Sequence, residues 1–522
     1  MLRHSAIRGL RVLLCAICLA APGGAALASH AAAPLSDLNS YVRQIMTDWK
    51  VPGLAVAVVK DGKLVLARGY GVRELGKPGK VDTNTLFTIA SNSKAFTVAA
   101  LGTLVQQDKL QWDDPVTRYL KGFELNDPWV TRNLTLRDLL THRTGYCDPI
   151  FMWFTTGFSR EQIIQHLRYD KPSYGFRAHF CYNNAMYLVA SQLIPAITGQ
   201  RWGQYLKAHL FVPLDMLNTD TSVAALNADP DAAYPHALVD DHVEVIRRYD
   251  TDTMAPVGGI NSSVNDMSHW LMMLLDDGSY AGKTVLQPKI IAAMETPQMI
   301  ISADSGMGTW LHAMNPGSLF YSYGLGFVVE DYYGRKLVMH DGDIDGMASA
   351  VGMLPELHLG VVVLTNMDHD DARNALLFHI LDEYLGRPPR DTNGALLALA
   401  AQQENAEKAE QQKLLASKSA LPAPLPLAQY TGTYSNPLDG KVRITLENGH
   451  LVMRLGNPDF TGDLTHWNHD TFHVRLRYRF YDQAFDQYLT FELDASGKPM
   501  ELRFYGLPAR FERVPPAPSG SH

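Results

Sequence analysis

Cysteine is scarce. The 522-residue chain holds 4 of them, and Cys15 and Cys18 fall inside an apolar N-terminal stretch. A scaffold organised by disulfides or by a cysteine-rich zinc module is therefore excluded. An excess of positive charge is also missing. There are 46 Lys+Arg against 54 Asp+Glu, a formal net charge of -8. Phosphate backbones demand clustered Lys and Arg, so no nucleic-acid partner is expected. Past the N-terminus no apolar run is long and unbroken enough to span a bilayer, so no stable membrane insertion is expected. Two chemical signatures are missing as well. There is no His-Glu-x-x-His metal motif and no Gly-x-Ser-x-Gly serine elbow. Asp341-Gly342-Asp343-Ile344-Asp345-Gly346 opens like a calcium loop, but its twelfth position is Gly352, which offers no carboxylate, and helical flanks are lacking. Asp368-His369-Asp370-Asp371 has no partner motif. Neither a metal nor a cofactor is expected.

What remains is ordinary globular composition, with 46% hydrophobic and 19% charged residues, in a chain too long for one ordinary domain. Residues 1–28 read as a secretory signal: Arg3, Arg8 and Arg11, an apolar stretch from Val12 to Ala21, then Ala26-Leu27-Ala28. Leu14 and Ile17 precede the two N-terminal cysteines, where a lipoprotein cysteine needs a small residue. A secreted or periplasmic protein is expected. The mature chain keeps Cys147 and Cys181, for which two readings stand: a disulfide stapling a lid beside the site, or two buried thiols.

The densest chemical signal is Ser91-Asn92-Ser93-Lys94. A helix starting near Ser91 places Ser91 and Lys94 on one face. The backbone N–H of Ser91 is then free to face a developing oxyanion, and a desolvated lysine can act as its base. Alone, Ser-x-x-Lys is weak evidence, and the bland reading, a capping serine and a surface lysine, is the commoner one. Downstream, Tyr182-Asn183-Asn184 supplies a phenol and an amide two residues apart. The phenolate can share the Ser91 proton, and the Asn184 amide can bond Lys94 and a substrate carbonyl. Tyr187 reads as a core tyrosine. Lys336 to Asp343 reads as an apolar strand ending in His340-Asp341-Gly342-Asp343. There Gly342 lets a substrate backbone lie close, His340 can bond the tyrosine–serine system, and the N–H of Asp343 can be a second oxyanion donor.

Ser-x-x-Lys, Tyr-x-Asn and a (Lys/His)-x-Gly strand, in that order, resemble the penicillin-binding protein and class C β-lactamase superfamily of serine hydrolases. Leu134–Gly145, Pro213–Met216, Ala255–Ser262 and Tyr323–Phe327 are similar to that family too, and the resemblance runs from about Leu38 to Leu385. It implies Ser91 as nucleophile, Lys94 and Tyr182 as base system, Asn184 as a substrate-positioning residue, and the amides of Ser91 and Asp343 as oxyanion hole. His142, in a family-like stretch, is expected to be structural. The chain departs from the β-lactam-binding members at His340, where they carry lysine. Histidine there is more similar to the D-aminopeptidase, esterase and amidase branches. The implied substrates are short peptides or amides, including ones with D-residues, or small esters. A β-lactamase or D-Ala-D-Ala carboxypeptidase is the alternative, and a non-catalytic binder of cell-wall peptide is a third reading. With Asp341, Asp343 and Asp345 beside a largely neutral His340, a substrate ammonium or a neutral ester is favoured over a carboxylate.

The expected fold class is α/β (α+β): a β-lactamase/transpeptidase-like antiparallel sheet flanked by helices, with a helical insert, spanning residues 35–390. Strands are predicted at Leu54–Ala67 with an Asp61-Gly62 turn, then at Tyr323–Val329, Arg335–Met339, Ala348–Leu354 and Leu359–Leu364. Residues 391–426 form a helical and Pro-rich linker. Residues 427–514 switch to a period of two, as in Phe472 to Phe480, and form a small antiparallel β-barrel that resembles the lipocalin-like domain of some family members. Arg475, Arg477 and Arg479 read as one solvated strand face. This domain is a candidate surface for a homo-oligomer, and 515–522 is expected to be a disordered tail.

Overall fold

The computed structural model describes residues 35–419, 421–485 and 487–515. The predicted signal segment 1–28 and nearly all of the predicted tail lie outside the described residues. The strands of the larger sheet are β1 (Gly53–Lys60), β2 (Lys63–Gly71), β3 (Met299–Ile301), β4 (Tyr321–Tyr323), β5 (Val328–Tyr332), β6 (Arg335–Ile344), β7 (Met347–Leu354) and β8 (Leu359–Thr365). The helices used below are α1 (Leu38–Asp48), α2 (Ser93–Gln106), α3 (Ile150–Thr155), α4 (Asn184–Ser191), α5 (Val264–Leu275), α6 (Ala372–Tyr384), α7 (Thr392–Ala416) and α8 (Arg479–Ala484).

The sheet runs β2-β1-β8-β7-β6-β5-β4-β3, antiparallel throughout. Asp61 and Gly62 both sit at positive φ, 51° and 71°, as the tight Asp-Gly turn between β1 and β2 requires. Strands β7 and β8 are buried along their whole length. That explains their unbroken apolar runs, since a strand covered on both faces has no polar side to alternate with. Two glycines show what covers them. A Cβ on Gly352 would strike Leu377 of α6, and one on Gly360 would strike Leu271 and Leu275 of α5. Gly352 pairs with Val361 and Gly360 with Met353, so the two glycines face opposite sides of the sheet. Helices α5 and α6 therefore clasp it from both sides.

Two strands differ from the sequence reading. The predicted strand Tyr323–Val329 is broken into β4 and β5, because Gly326 takes φ 82° and lies where a Cβ would come within 3.0 Å of Ala95 Cα in α2. Strand β6 does not stop at Met339. It continues through Gly342 to Ile344, paired with β7 as Gly342 to Ser349 and Asp343 to Ala348, and turns at Asp345-Gly346. The helical linker forms as α7, 25 residues long and mostly exposed.

The C-terminal domain is a closed barrel of eight antiparallel strands, β9 (Gly432–Asn436), β10 (Gly440–Glu447), β11 (His450–Arg454), β12 (Thr461–Asn468), β13 (Thr471–Leu476), β14 (Gln487–Leu493), β15 (Pro499–Phe504) and β16 (Arg510–Arg513). The predicted arginine face is only partly a strand face. Strand β13 ends at Leu476, and Arg479 opens α8, where it pairs with Asp482 and with Asp240 of the larger domain. Closure removes free edges and fills the interior with Tyr434, Phe472, Phe491, Phe504 and Phe511.

The barrel is docked rather than tethered. Phe151 of α3 stacks near Phe504 at 5.2 Å. Phe154 meets Phe460 at 5.4 Å and Tyr481 at 5.5 Å. Asn457 donates its backbone N–H to Thr155 O (2.8 Å) and its amide to Phe154 O (3.1 Å), capping the end of α3. Tyr481 of α8 donates to Asp345 at the β6–β7 turn, at 2.5 Å. Removing residues 418–522 uncovers Phe151 and Phe154 and leaves those carbonyls to water. The truncated fragment is expected to keep its sheet but to become protease-sensitive within α3, monitored by limited proteolysis with mass mapping. Full-length-like resistance of α3 in the fragment would contradict the docking.

Candidate active site

The segment before α2 is a strained elbow. Ala90 has φ 47°, uncommon for a residue with a side chain. The first turn bond runs from Asn92 N–H to Ile89 O, so the Ser91 amide precedes the helical ladder. Three contacts hold the elbow on the sheet. Asn92 donates to Ser349 Oγ (2.8 Å), which donates to Ile89 O (2.7 Å). Gly342 takes the remaining space: a Cβ there would sit 2.6 Å from Ile89 O and 2.7 Å from Ser91 N. The elbow thus requires a glycine here, a constraint the sequence reading did not assign to Gly342. Ser93 is turned away, its Oγ accepting from Ile260 N–H at 3.1 Å.

Lys94 is fully buried. Its Nζ lies 2.9 Å from Ser91 Oγ and 3.0 Å from Val257 O, and 4.8 Å from the ring centroid of Tyr182. Burial penalises the ammonium and pulls its pKa down to about 7, while Asp148 and Asp341 push the other way. Ser91 is half-exposed beside it. At neutral pH the pair therefore samples both a lysine that donates to serine and an amine that accepts from it.

Tyr182 lies against the same serine, which engages its phenol through a side-chain hydrogen bond, yet burial drives its pKa well above 10. Burial thus disfavours the phenolate in the resting site. Tyr187 is buried, and its hydroxyl donates to Leu140 O at 2.6 Å. His340 does not bond the tyrosine–serine pair. Its Nδ1 meets Asp341 O, which can only accept, so Nδ1 carries the proton. Its Nε2 is 2.9 Å from Tyr323 hydroxyl. Burial lowers its pKa to about 4, so it is a neutral wall of the site. His142 meets the backbone at one nitrogen only, with Nδ1 accepting from Asn183 N–H at 3.0 Å and its ring 4.3 Å from that of Tyr182. Its Nε2 faces the aromatic side without a hydrogen-bond partner among the described residues.

The oxyanion geometry follows from the β6–β7 hairpin. The two-residue turn closes on the pair Ile344–Met347, so antiparallel alternation makes Asp343–Ala348 the next, non-hydrogen-bonded pair. The Asp343 N–H then points away from β7. Pairing with β5 ends at Met339, which leaves that edge of β6 open beside Ser91. The carboxylates of Asp341 and Asp343 go elsewhere. Both meet the buried guanidinium of Arg373 on α6, at 3.2 and 2.5 Å. Asp345 is held by Tyr481. The expectation that these acids charge the cleft mouth is therefore corrected.

Asn184 opens α4. Its Nδ2 donates to Asp148 at 2.7 Å, not to Lys94. Asp148, Ser349 and Arg373 escaped the sequence reading because each lies outside the three motifs, and Tyr323 entered it only as part of a family-like strand, with no site role. Only the position of Asp148, next to Cys147, was a signal. Cys147 and Cys181 form a disulfide, Cα atoms 5.1 Å apart, which ties the segment bearing Asp148 to the loop bearing Tyr182. Closing a loop over a separation of 34 residues contributes about 3–4 kcal/mol. Replacing both cysteines by serine is expected to lower the denaturant midpoint correspondingly, and alkylation of native protein without reductant to find no free thiol. Two alkylated thiols would contradict the bridge.

Comparison with known proteins places these features. The Beta-lactamase family profile matches residues 38–384, and a domain of unknown function, DUF3471, matches 416–514. The chain is 30% identical over 445 residues to the unguisins hydrolase ungD' of Aspergillus campestris, covering 81% of this chain and 80% of that protein. It is 25% identical over 338 residues to the protein flp of Staphylococcus aureus, covering 64% and 63%. The structure of an octameric penicillin-binding protein homologue from Pyrococcus abyssi shares the fold, with TM-score 0.60 at 21% identity over 91% of this chain and 99% of that one. With the sheet, the Ser91–Lys94 pair and the family match over residues 38–384 in agreement, the chain belongs to the β-lactamase family of penicillin-binding-protein-like hydrolases.

Proposed function

We propose that the protein is an exported serine hydrolase that acts through an acyl-enzyme on short peptides or amides, including ones with D-residues, or on small esters. One observation carries the reading: a fully buried lysine whose Nζ touches Ser91 Oγ at 2.9 Å and whose ammonium is destabilised to about neutrality. Lys94, as the amine, takes the Ser91 proton as Oγ attacks the substrate carbonyl. The amides of Ser91 and Asp343 receive the oxyanion. Tyr182, held protonated, passes a proton to the departing nitrogen or oxygen, and Lys94 returns one. Water then attacks the acyl-serine by the reverse route. The neutral His340 offers no cation to hold a substrate carboxylate. This favours neutral or amine-bearing substrates over β-lactams and D-Ala-D-Ala peptides. The disulfide supports export, and the docked barrel remains a candidate surface for self-association.

A fluorophosphonate is expected to label wild-type protein stoichiometrically at Ser91. Ser91→Ala should abolish labelling and Ser93→Ala should retain it, with a stability loss of about 1 kcal/mol for the lost bond to Ile260. A label mapped to Ser93, or an unlabelled wild type beside an active control enzyme, would favour a binding protein instead.

The acylation rate should depend on pH through Lys94. The active amine predominates above about pH 7, so the rate is expected to rise with pH through that value. Below it, the rate should fall about tenfold per unit. Pre-steady-state acylation by an activated ester reads this directly, and a flat profile from pH 5 to 9 would remove Lys94 as the base.

A further inference from the structure

We propose that Asp148 is a positioning residue of this site, fixing the Asn184 amide, and that the barrel holds it in place through α3. The inference rests on the hydrolase reading above and adds a residue that no motif contains.

The geometry is a chain of bonds. Asp148 Oδ2 accepts from Asn184 Nδ2 at 2.7 Å. Its Oδ1 accepts from Trp153 Nε1 at 3.1 Å and from the Ala185 N–H at 3.4 Å. A carboxylate only accepts, so it decides which end of the Asn184 amide faces it and turns Asn184 Oδ1 away. Neighbouring groups reinforce the arrangement: Asn183 Nδ2 donates to Tyr146 O and Cys147 O, both at 3.0 Å. Trp153 belongs to α3, the helix that sends Phe151 and Phe154 into the barrel and is capped by Asn457. The barrel thus reaches the Tyr-x-Asn loop through one helix and one carboxylate.

Burial pushes the Asp148 carboxyl up, while its bonds from Asn184, Trp153 and Ala185 and the nearby Lys94 pull the other way; as a carboxylate, Asp148 also acts on Lys94 through its charge. The groups around that lysine are Ser91 and the Val257 carbonyl in contact, Tyr182 and Tyr187 by their rings, and His142, His340, Asp341 and Asp148 electrostatically. Both histidines are held neutral, so Asp148 and Asp341 are the charges that favour the ammonium. Deleting the Asp148 charge lowers the lysine pKa further and moves the acid limb of acylation to lower pH.

The test measures acylation and kcat/KM against pH for Asp148→Asn, Asp148→Ala, Trp153→Phe, Asn184→Ala and the Asp148→Ala/Asn184→Ala double variant, in the full chain with its disulfide intact. Asp148→Asn keeps the shape and should cost about tenfold; Asp148→Ala should cost up to about a hundredfold, the range for a lost bond to a charged group. Both should shift the acid limb downward. Trp153→Phe loses the indole donor but keeps the charge, so it should lower kcat without moving the limb. The double variant should be no worse than Asn184→Ala alone. If Asp148→Ala does not fold, Asp148→Asn and Trp153→Phe decide the matter. Wild-type rates with an unmoved limb in Asp148→Asn, or losses that multiply in the double variant, would overturn the proposal while wild-type labelling at Ser91 leaves the hydrolase reading standing. A wild type that never acylates overturns both.

Discussion

The burial of one ammonium group organises this molecule. Placing Lys94 where no water reaches it is costly unless its N–H groups meet acceptors, and the surroundings are arranged to provide them. Ser91 Oγ and Val257 O supply the acceptors, and the short helix Ala255–Gly258 that carries Val257 packs against α2. The aromatic rings of Tyr182 and Tyr187 close the rest. An elbow strained at Ala90 is tolerated because Asn92, Ser349 and the missing side chain of Gly342 over-determine it. The same desolvation that raises the cost of the charge gives the lysine its basicity near neutrality, so the cost of the site and its chemistry have a single origin.

Charge elsewhere in the hydrolase domain follows a different rule: acids are matched before they reach the cleft. Arg373 is 3% exposed and takes both Asp341 and Asp343. Two partly exposed carboxylates opposite one buried guanidinium fix that face of β6, which leaves the Asp343 amide, rather than its side chain, facing the open edge. Asp148 is the exception, a carboxylate bonded by three neutral N–H donors and left near the lysine. The neutral His340 and the carboxyl of Asp148, which meets no cation within salt-bridge distance among the described residues, together shape the cleft's electrostatic character.

Much of this was readable in the chain. Ser91 and Lys94 were legible because three residues apart on a helix is contact and because Tyr182-Asn183-Asn184 and the His340–Asp343 strand follow in order. The continuous apolar runs of β7 and β8, the Asp61-Gly62 turn and the period-two pattern past the proline linker were local signals of local structure. What stayed hidden was every feature that depends on non-local packing. Gly326 breaks a strand because α2 lies against it, which no window of sequence reports. His340 bonds Tyr323 rather than Tyr182, and Tyr182 is held protonated, because burial sets both and burial is a property of the assembled fold. Arg479 left the strand pattern since Asp240, 239 residues earlier, lay within reach. The disulfide was open because sequence carries no Cα separation.

The central strand pairing has a kinetic consequence. Strand β1 is flanked by β2, formed at once through a two-residue turn, and by β8, which joins it with Leu54 opposite Thr365. That second ladder closes a loop of more than three hundred residues, containing the whole helical insert and the elbow. Contacts of such high sequence separation form slowly, because loop entropy must be overcome before they repay it. Until β8 arrives, the β1–β2 hairpin presents an unpaired row of valines and alanines, an edge prone to misassociation during refolding. The Ala90–Asn92 elbow is wedged between Gly342 and Ser349, so its strained shape depends on strands that pair late, and the Ser91–Lys94 contact depends on them with it.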